Sequence, residues 1–503
     1  YTSGSTSEPK GVIVTHANLI ANLNVIGQGF QIDQLRPDER VVCSWLPSYH
    51  DMGLVGVILS SLVHDGHAVM MSPTAFLQQP SRWLKAISDY RARVTVAPSF
   101  GYQWAAEKIS ADEIEELRFD LSCLCVAACG AEPIHPGVLE RFADQFARSG
   151  FRSEVFYPCY GLAESTLMVA GTDRGDLLDP PELLPGPITA TISRSKLAND
   201  VADAPASPDD AQTVVSCGVV SSGTNLCIVD PKSNRSLGDN RIGEIRVHSP
   251  SIAAGYWNDA EKTRKVFGDS IDGDERNFLH TGDLGFLRNG QLYVTGRIKD
   301  LIIIGGQNHY PQDIERTVVA ADASLVHTSG AAFSVPDDSG EQLVIVHEVP
   351  RSFEMDHAEQ IIRSIRLAVA STHDLTAQEI VLIRPAALPR TSSGKIQRNR
   401  CRQRHLDGGF EPVHRWRQAD QLDPELFPDI QHLIGQDGSR SLLRQKIETT
   451  LLKWLQRFTE AGSVGSNESF AELGVDSLMA VELSQQLERW LGVRLSPVAA
   501  WSY

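Results

Sequence analysis

Helical and strand-like patterns alternate along the chain from about residue 16 to residue 165. Apolar positions recur with helical spacing in THANLIANLNVIGQGF, where Thr15 is placed as an N-cap. Short apolar runs bounded by polar residues are typical of buried strands, and they follow at RVVCSWLP, HAVMMSP, RVTVAPSF and EVFYPCY. Helical patterns such as PSRWLKAISDYRA and HPGVLERFADQFARSG lie between them. This alternation predicts an α/β domain with a largely parallel sheet.

The pattern changes in the second half of the chain. Residues 171–212 are rich in Pro and acidic residues, which predicts a long excursion without clear regular structure. From Val214, strands punctuated by turns predict a β-rich subdomain, and a smaller α/β stretch then closes near Arg404. Residues 405–440 lack any period and are typical of a linker. The helical patterns SLLRQKIETTLLKWLQRF and SLMAVELSQQLERWLG predict a final bundle of helices.

Composition restricts the class of partner. The 503 residues hold 46 Lys and Arg against 63 Asp and Glu, a net charge of −17, so nucleic acid and anionic membrane surfaces are not attracted electrostatically. Eight Cys are too few for a disulfide scaffold, which favours a cytoplasmic location, and LSCLCVAAC is typical of a buried strand. The longest apolar stretch, GLVGVILSSLV, is shorter than the roughly 18 residues of a membrane span. We therefore expect no stable membrane insertion.

The glycine- and hydroxyl-rich stretch YTSGSTSEPKGV precedes the first predicted helix. Glycines let backbone N–H groups approach phosphate oxygens, hydroxyls donate, and a lysine supplies a mobile positive charge. The pattern is not a Walker loop, because Lys10 lies between Pro9 and Gly11. We predict a phosphate-binding loop, with a flexible surface loop as the alternative. The residues assigned to it are Thr2, Ser3, Gly4, Ser5, Thr6 and Lys10.

This loop and four later motifs resemble, in the same order, those of the adenylate-forming superfamily, an α/β fold with a small α+β lid. The later motifs are YGLAES, HTGDLG, GRIKDLIIIGG and PRTSSGKIQR. Three segments are similar, more narrowly, to the corresponding segments of the fatty acyl-AMP ligase branch: LPSYHDMGLVG, CGAEPI and DLIIIGGQNHYPQDIE. Residues 171–212 fall roughly where that branch carries an insertion, which in the family is associated with failure to use free coenzyme A.

The resemblance implies roles for individual residues. Lys395 and Glu164 are the catalytic residues: the ammonium group stabilises charge between the α-phosphate of ATP and the attacking carboxylate, and the carboxylate of Glu164 holds Mg²⁺. Lys299 corresponds to the hinge of the lid. His50 and Phe100 are candidates for the acyl pocket. The adenine and ribose site is assigned to Gly130, Ala131, Glu132, Tyr160, Gly161, Asp283 and Arg297.

Each of these assignments has a plain alternative in the residues themselves. Tyr160 could be a core aromatic residue, Lys299 an exposed turn lysine and Lys395 a solvated loop lysine. Glu164 could merely favour a helix dipole, and TGD could be an ordinary turn. A packed or helix-capping histidine is nearly as well supported for His50 as a pocket residue.

The last motif is ELGVDSLMAVEL, where Ser477 follows Asp476 at the start of an apolar-periodic helix. It resembles the acyl-carrier-protein site, in which a serine receives 4'-phosphopantetheine from a phosphopantetheinyl transferase. An ordinary N-cap serine is the alternative.

The domain organisation predicted from these motifs has four parts. An adenylation core, expected to be incomplete at its N-terminal side, covers 1–298, and a lid covers 299–404. A linker at 405–440 leads to an all-helical carrier domain at 441–503, which is expected to be incomplete at its C-terminal side.

The predicted function is ATP-dependent activation of a fatty acid to an acyl-adenylate, followed by transfer to the carrier thiol. Such a protein would load a downstream polyketide synthase or peptide synthetase module. Two alternatives stay open: an acyl-CoA synthetase or amino-acid adenylation enzyme, and a non-catalytic carrier and docking fragment.

Overall fold

The structure is a computed structural model that describes most of the chain, in two compact units. The first unit is Tyr1–Leu301 with Arg390–Gln397, and the second is Ile302–Pro389 with Arg398–Tyr503. The described residues are 1–2, 9–174, 186–337, 340–391, 394–418, 423–430, 440–458, 473, 475 and 477–493.

Helices alternate with strands in the first unit, as the apolar pattern predicts. The first helix begins after Thr15, whose hydroxyl accepts a hydrogen bond from the amide of Asn18 at 3.2 Å, so the predicted N-cap is confirmed. A π-helical turn, Leu54–Leu59, joins the second helix to the third. The helices are α1 (His16–Gly29), α2 (Asp51–Gly53), α3 (Ser60–Val63), α4 (Pro73–Gln78), α5 (Ser81–Asp89), α6 (Ser99–Lys108), α7 (Ala111–Leu117), α8 (Pro136–Phe146), α9 (Arg194–Leu197) and α10 (Ala260–Phe267).

One mixed sheet dominates the described part of the first unit. Its order is β2-β1-β3-β4-β5-β6-β9-β14-β13-β11-β10, with β12 beside β13. Strands β2 to β5 in this order are parallel, and the remaining pairs are antiparallel. The strands of the unit are β1 (Val41–Ser44), β2 (His67–Met70), β3 (Val94–Pro98), β4 (Val126–Gly130), β5 (Phe156–Gly161), β6 (Met168–Gly171), β7 (Thr189–Ser193), β8 (Ala211–Val215), β9 (Val219–Val220), β10 (Asn225–Val229), β11 (Gly243–His248), β12 (Asp269–Ile271), β13 (Asp274–Arg288) and β14 (Gln291–Arg297).

The segment 171–212, predicted to lack regular structure, contains some. Strands β7 and β8 form an antiparallel pair, and helix α9 lies between them. The run TATIS alternates exposed and buried side chains, with Ala190 and Ile192 buried. That short period-two pattern was hidden by the Pro- and acid-rich composition on either side of it. Residues 175–185 of the segment lie outside the described residues.

An aromatic core lies between the parallel strands and the helices. Trp83, Tyr102 and Phe142 are fully buried and pack edge to face or tilted against one another. The cysteines of LSCLCVAAC are buried as predicted, although strand β4 begins only at Val126. All eight cysteines lie in the described part of the chain, and none of them forms a disulfide there.

The second unit has a four-stranded sheet and a separate helical core. The sheet order is β17-β18-β19-β20, and β15 pairs with β16. The elements are β15 (Ile302–Ile304), β16 (Gln307–His309), α11 (Pro311–Ala320), β17 (Gly330–Asp337), β18 (Gly340–Glu348), α12 (Ala358–His373), β19 (Ala377–Ile383), α13 (Arg398–Leu406), β20 (Pro412–Arg417), α14 (Arg440–Phe458) and α15 (Ser477–Leu491).

The stretch predicted as a linker, 405–440, is largely built into these two parts. Strand β20 pairs with β19, placing Trp416 opposite Ile380, so this sheet continues beyond residue 404, where the lid was predicted to end. Leu426, Phe427 and Ile430 belong to the helical core around Trp454 and Trp490. Scattered Pro, Gly and Asp concealed both contributions, because neither is long enough to show a period. Within the described residues, no helix is long and apolar enough to cross a membrane.

Candidate active site

A cavity of about 150 Å³ lies in the first unit at the carboxyl ends of strands β1, β3, β4 and β5. Strand β1 pairs with β2 on one side and with β3 on the other, which makes this edge the switch point where α/β sheets bind ligands. We call two groups of its lining residues the charged set and the apolar set. The charged set is Lys10, Asp51, Glu164, Arg297 and Lys395. The apolar set is Ile26, Phe30, Val96, Ala128, Leu167 and Met168.

Lys395 is held in the cavity by its own loop and by Ala131, the residue that follows strand β4. The amide of Thr391 donates to the carbonyl of Lys395 at 2.8 Å, and the amide of Lys395 donates to the Thr391 hydroxyl at 3.1 Å. The Nζ atom donates to the carbonyl oxygen of Ala131. Burial lowers the pKa of Lys395, and the negative charges of Glu132 and Asp51 partly oppose that shift.

Ala131, which accepts from Lys395, has a left-handed backbone with φ 68°. Left-handed geometry is uncommon for a residue other than glycine and costs on the order of 1–3 kcal/mol. The strain aims the Ala131 carbonyl at Lys395 directly after β4. The next residue, Glu132, was predicted for the adenine and ribose site. Its carboxylate accepts a hydrogen bond from the amide of Phe100 at 2.6 Å and so links the segments that follow β3 and β4.

Glu164, Lys10 and Tyr256 form a second polar group. The hydroxyl of Tyr256 donates to Oε1 of Glu164 at 2.6 Å, and Nζ of Lys10 lies 4.8 Å from the centre of the Tyr256 ring. Burial and the charge of Glu164 raise the pKa of Tyr256, so its hydroxyl stays a donor. Burial lowers the pKa of Lys10, with Glu164 partly opposing. The backbone amide of Thr2 donates a hydrogen bond to the carbonyl oxygen of Lys10 at 2.9 Å.

The carboxylate of Asp283 links Arg297 to Tyr160. Arg297 Nε donates to Oδ1 at 2.7 Å, and the Tyr160 hydroxyl donates to Oδ2 at 2.8 Å. The charge of Asp283 raises the pKa of Arg297, and burial raises the pKa of Tyr160. Tyr160 is both buried and a lining residue of the cavity, so the two interpretations of this aromatic residue are not exclusive.

A buried ion pair supports the turn that carries Asp283. Glu244 Oε1 accepts the amide of Gly282 at 3.0 Å, while Oε2 accepts from Arg246 Nε at 2.6 Å. Burial alone would raise the pKa of Glu244, but its contacts with His280 and Arg246 bring the pKa below the usual range. Glu244 is therefore an anionic acceptor that fixes the backbone next to Asp283.

His50 and Asp51 lie together at the start of α2, and both line the cavity. The Nδ1 atom of His50 is 2.7 Å from Oδ1 of Asp51, and His50 is the N-cap residue of α2, where the amide of Met52 donates to that same Oδ1 at 2.7 Å. Burial pushes the pKa of Asp51 up, yet His50 and the charge of Lys395 bring it below the usual range. His50 thus caps a helix and lines the pocket, combining the two predicted alternatives.

Phe100, predicted for the acyl pocket, is not among the residues that line this cavity, and its assignment stays a prediction. Its ring packs against Trp45 at 5.5 Å between ring centres. Helix α1 contributes Ile26 and Phe30 in its place. Cys159 also lines the cavity, and its thiol donates weakly to the carbonyl of Cys129 at 3.5 Å.

Two predicted glycines allow close approach of backbones. A Cβ at Gly130 would lie 2.7 Å from the carbonyl oxygen of Cys159, and one at Gly161 would lie 1.9 Å from that of Leu167. Larger residues at these positions would separate β4, β5 and β6 beneath the cavity.

The remaining predicted residues are not lining residues of the cavity or lie outside the described residues. Lys299 is exposed in the turn after β14. Ser477 begins helix α15, but its side chain is not among the described ones. The phosphate-loop residues Ser3, Gly4, Ser5 and Thr6 lie outside the described residues.

A divalent cation fits the chemistry of Glu164. Mg²⁺ prefers oxygen ligands and is usually bound by one or two carboxylates together with substrate phosphates. Glu164 supplies one carboxylate next to Lys10, the predicted phosphate-binding lysine. Bound there, Mg²⁺ would neutralise phosphate charge while Glu164 holds it.

Asp51, Tyr256 and the apolar set were not predicted as site residues. Asp51 lies in SYHDMG, a polar interruption between apolar runs, and that position could have identified it beside His50. Tyr256 is far from Lys10 and Glu164 in the sequence, and nothing in its neighbourhood distinguishes it from a core tyrosine.

Comparison with known proteins agrees with this geometry. The AMP-binding enzyme family matches residues 1–257, the AMP domain of Disco-interacting protein 2-like proteins matches 299–414, and the phosphopantetheine attachment site family matches 445–503.

Individual relatives are similar over most of the chain. The medium-chain-fatty-acid acyl-carrier-protein ligase JamA of Moorena producens is 40% identical over 82% of the chain and 68% of its own length. The corresponding ligase TtuA of Teredinibacter turnerae is 36% identical over 87% of the chain and 66% of its own length.

A solved structure of a fatty acyl-adenylate ligase from L. pneumophila, in complex with acyl adenylate and pyrophosphate, is 41% identical with a TM-score of 0.57. The match covers 83% of this chain and 70% of that one. The five motifs in order, the cavity at the strand ends and these matches agree with one another. The chain therefore belongs to the AMP-binding enzyme family, in its fatty acyl-AMP ligase branch, and carries a phosphopantetheine-attachment region.

Proposed function

We propose that this protein activates a fatty acid with ATP and passes the acyl group to its own carrier region. The observation that carries the proposal is the cavity itself, in which the charged set and the apolar set line one space. A substrate with an anionic head and an apolar tail fits both sets. Its head can contact the lysines and the arginine of the charged set, and its tail can pack against the side chains of the apolar set.

In the first step, a carboxylate oxygen of the fatty acid attacks the α-phosphorus of ATP. The bond from that phosphorus to the bridging oxygen breaks, and pyrophosphate leaves. Two anions must approach each other, so Lys395 is assigned to stabilise the charge that develops between them, and Lys10 to hold the leaving phosphates. Asp283, held by Tyr160 and Arg297, is assigned to the ribose hydroxyls.

For the second step, Ser477 would hold 4'-phosphopantetheine, which would supply the thiol that accepts the acyl group, with AMP as the leaving group. The helical core around Trp454 includes α15, which begins at Ser477. We also propose a phosphopantetheinyl transferase as the modifying partner and a polyketide synthase or peptide synthetase module as the downstream acceptor.

The test is the intact mass of the phosphopantetheinylated chain after incubation with ATP and a mixture of fatty acids. We expect a mass increase equal to one acyl group, dominated by one range of chain lengths and absent in a Ser477→Ala variant. A chain that forms acyl-CoA readily from free coenzyme A would instead be an acyl-CoA synthetase. A chain that shows no ATP–pyrophosphate exchange with any fatty acid would overturn the proposed activity.

A further inference from the structure

The connection between the lid sheet and the carrier core is short. The amide of Gln418 donates to the carbonyl of Gln378 at 2.9 Å, so residue 418 still belongs to the lid. Asp423 already belongs to the carrier, since its carboxylate is 2.6 Å from Arg457 of α14. Only residues 419–422 lie between them in the sequence, and a fully extended chain from 418 to 423 spans at most about 18 Å. The carrier cannot move far from the lid.

Helix α12 of the lid packs against helix α15 of the carrier within the second unit. An ion pair between Arg366 and Glu482 joins the two helices. The side chains of this pair are 17% and 28% exposed, so both charges are largely withdrawn from water. A charge in that position is costly unless it has a partner, which makes Glu482 more than an incidental neighbour of Arg366.

A side chain of the lid holds the Arg366 guanidinium in position for this contact. The guanidinium carbon lies 3.9 Å from the ring centre of Trp416, which itself packs on the lid core from strand β20. A guanidinium stacked on an aromatic ring loses little further freedom when it meets a carboxylate. Burial, with the nearby charge of Arg363, lowers the pKa of Arg366 to about 10. A carboxylate within contact distance of a guanidinium favours its charged form.

We propose that α12 and β20 of the lid form a docking surface for α15 of the carrier, with Arg366, stacked on Trp416, as the residue that recognises Glu482. Since α15 begins at Ser477, the lid covers part of the helix that carries the attachment residue. Proteins that act on Ser477 therefore compete with the lid for this helix. The docking surface requires that 445–503 be a carrier region but does not require the proposed adenylation.

Amide hydrogen exchange of the full chain, followed by mass spectrometry, tests the docking. Arg366→Glu should speed exchange in α15 by about threefold to tenfold, the range of one partly buried charged contact. The exchanged pair Arg366→Glu with Glu482→Arg should return α15 to near its original rate. Exposed positions offer matched charge changes, and neither Arg351→Glu nor Glu448→Arg should alter α15.

Two results would overturn the docking surface. One is an Arg366→Glu variant in which α15 exchanges at the parental rate. The other is an exchanged pair that leaves α15 as fast as the single variant, because Arg366→Glu would then act by disturbing the lid rather than by losing Glu482.

The rate at which a purified phosphopantetheinyl transferase modifies the full chain with coenzyme A tests the competition. Arg366→Glu leaves the carrier surface intact, so modification should become about threefold to tenfold faster. An unchanged or slower rate would contradict the covering of α15 by the lid. Neither measurement depends on ATP or fatty acid, so failure here is distinct from failure of the proposed activity.

Discussion

The charged and the apolar set line the same cavity but come from different parts of the structure. The charged set lies on loops and strand ends, where Lys395, Glu164 and Arg297 depend on hydrogen bonds to hold their positions. The apolar set lies on the inward faces of α1, β3, β4 and β6, where packing alone fixes the side chains. The charged groups thus lie in short motifs, whereas the residues that shape the rest of the cavity are distributed through the core.

The largest effect should come from the charged set. Lys395→Ala removes the ammonium group assigned to the transition state, and ATP–pyrophosphate exchange should fall about 100- to 1000-fold. The melting temperature should stay close to that of the parent. Lys232→Ala, at an exposed turn lysine, is the control and should keep full exchange. A Lys395→Ala variant that retains about a third of the exchange would remove Lys395 from the mechanism.

The pH dependence of ATP–pyrophosphate exchange is a second test of the role assigned to Lys395. Lys395 acts in its charged form, and burial lowers its pKa, so exchange should begin to fall at a lower pH than an ordinary lysine would give. Above that pKa the rate should drop about tenfold per pH unit. Lys395→Arg keeps its charge to high pH and should lose this alkaline limb. If the limb persists in Lys395→Arg, another group titrates.

A substitution in the apolar lining should change substrate choice rather than chemistry. Gly56 lines the cavity, and a Cβ added there would lie 3.0 Å from Cδ2 of Leu167. Gly56→Leu should lower kcat/KM for medium-chain acids about tenfold while leaving a short acid such as butyrate nearly unchanged. Gly137→Leu, where an added Cβ meets no atom within 4 Å, is the control. Equal losses for both acids would show that Gly56 does not border the acyl chain.

The smallest effect should come from the hydrogen bond between Tyr160 and Asp283. Tyr160→Phe keeps the ring and removes the hydroxyl, a loss of about 1 kcal/mol that should raise the KM for ATP about fivefold. The KM for the fatty acid should not change. Tyr49→Phe, at an exposed tyrosine, should leave both values as they are. A raised KM for the fatty acid would place Tyr160 in the acyl pocket instead.

The sequence predicts the two sets unequally. The resemblance of short motifs to those of the adenylate-forming superfamily is enough to name Lys395, Glu164 and Arg297, because each motif keeps the residue types that carry the chemistry. It does not reveal Ile26 or Met168, which are ordinary core residues until α1 and β6 bring them to one cavity. The position of Phe100 after β3 likewise does not reveal that its ring packs against Trp45.

Short contributions to distant partners escaped prediction as well. Strand β20 and the segment around Phe427 each hold too few apolar residues to show a period, and each is stabilised by a partner elsewhere in the sequence. Composition therefore suggested one long linker where the structure has two anchored segments.

The thiol of Cys159 has a consequence for the proposed acyl-adenylate. A mixed anhydride is vulnerable to any sulfur nucleophile nearby, and Cys159 borders the cavity in which it would form. Burial raises the pKa of Cys159 to about 12, so at neutral pH its sulfur is held as the thiol rather than as the nucleophilic thiolate. The enzyme's own sulfur is kept unreactive beside its activated product. Capture of the acyl group is thereby left to a thiol that arrives from outside the cavity.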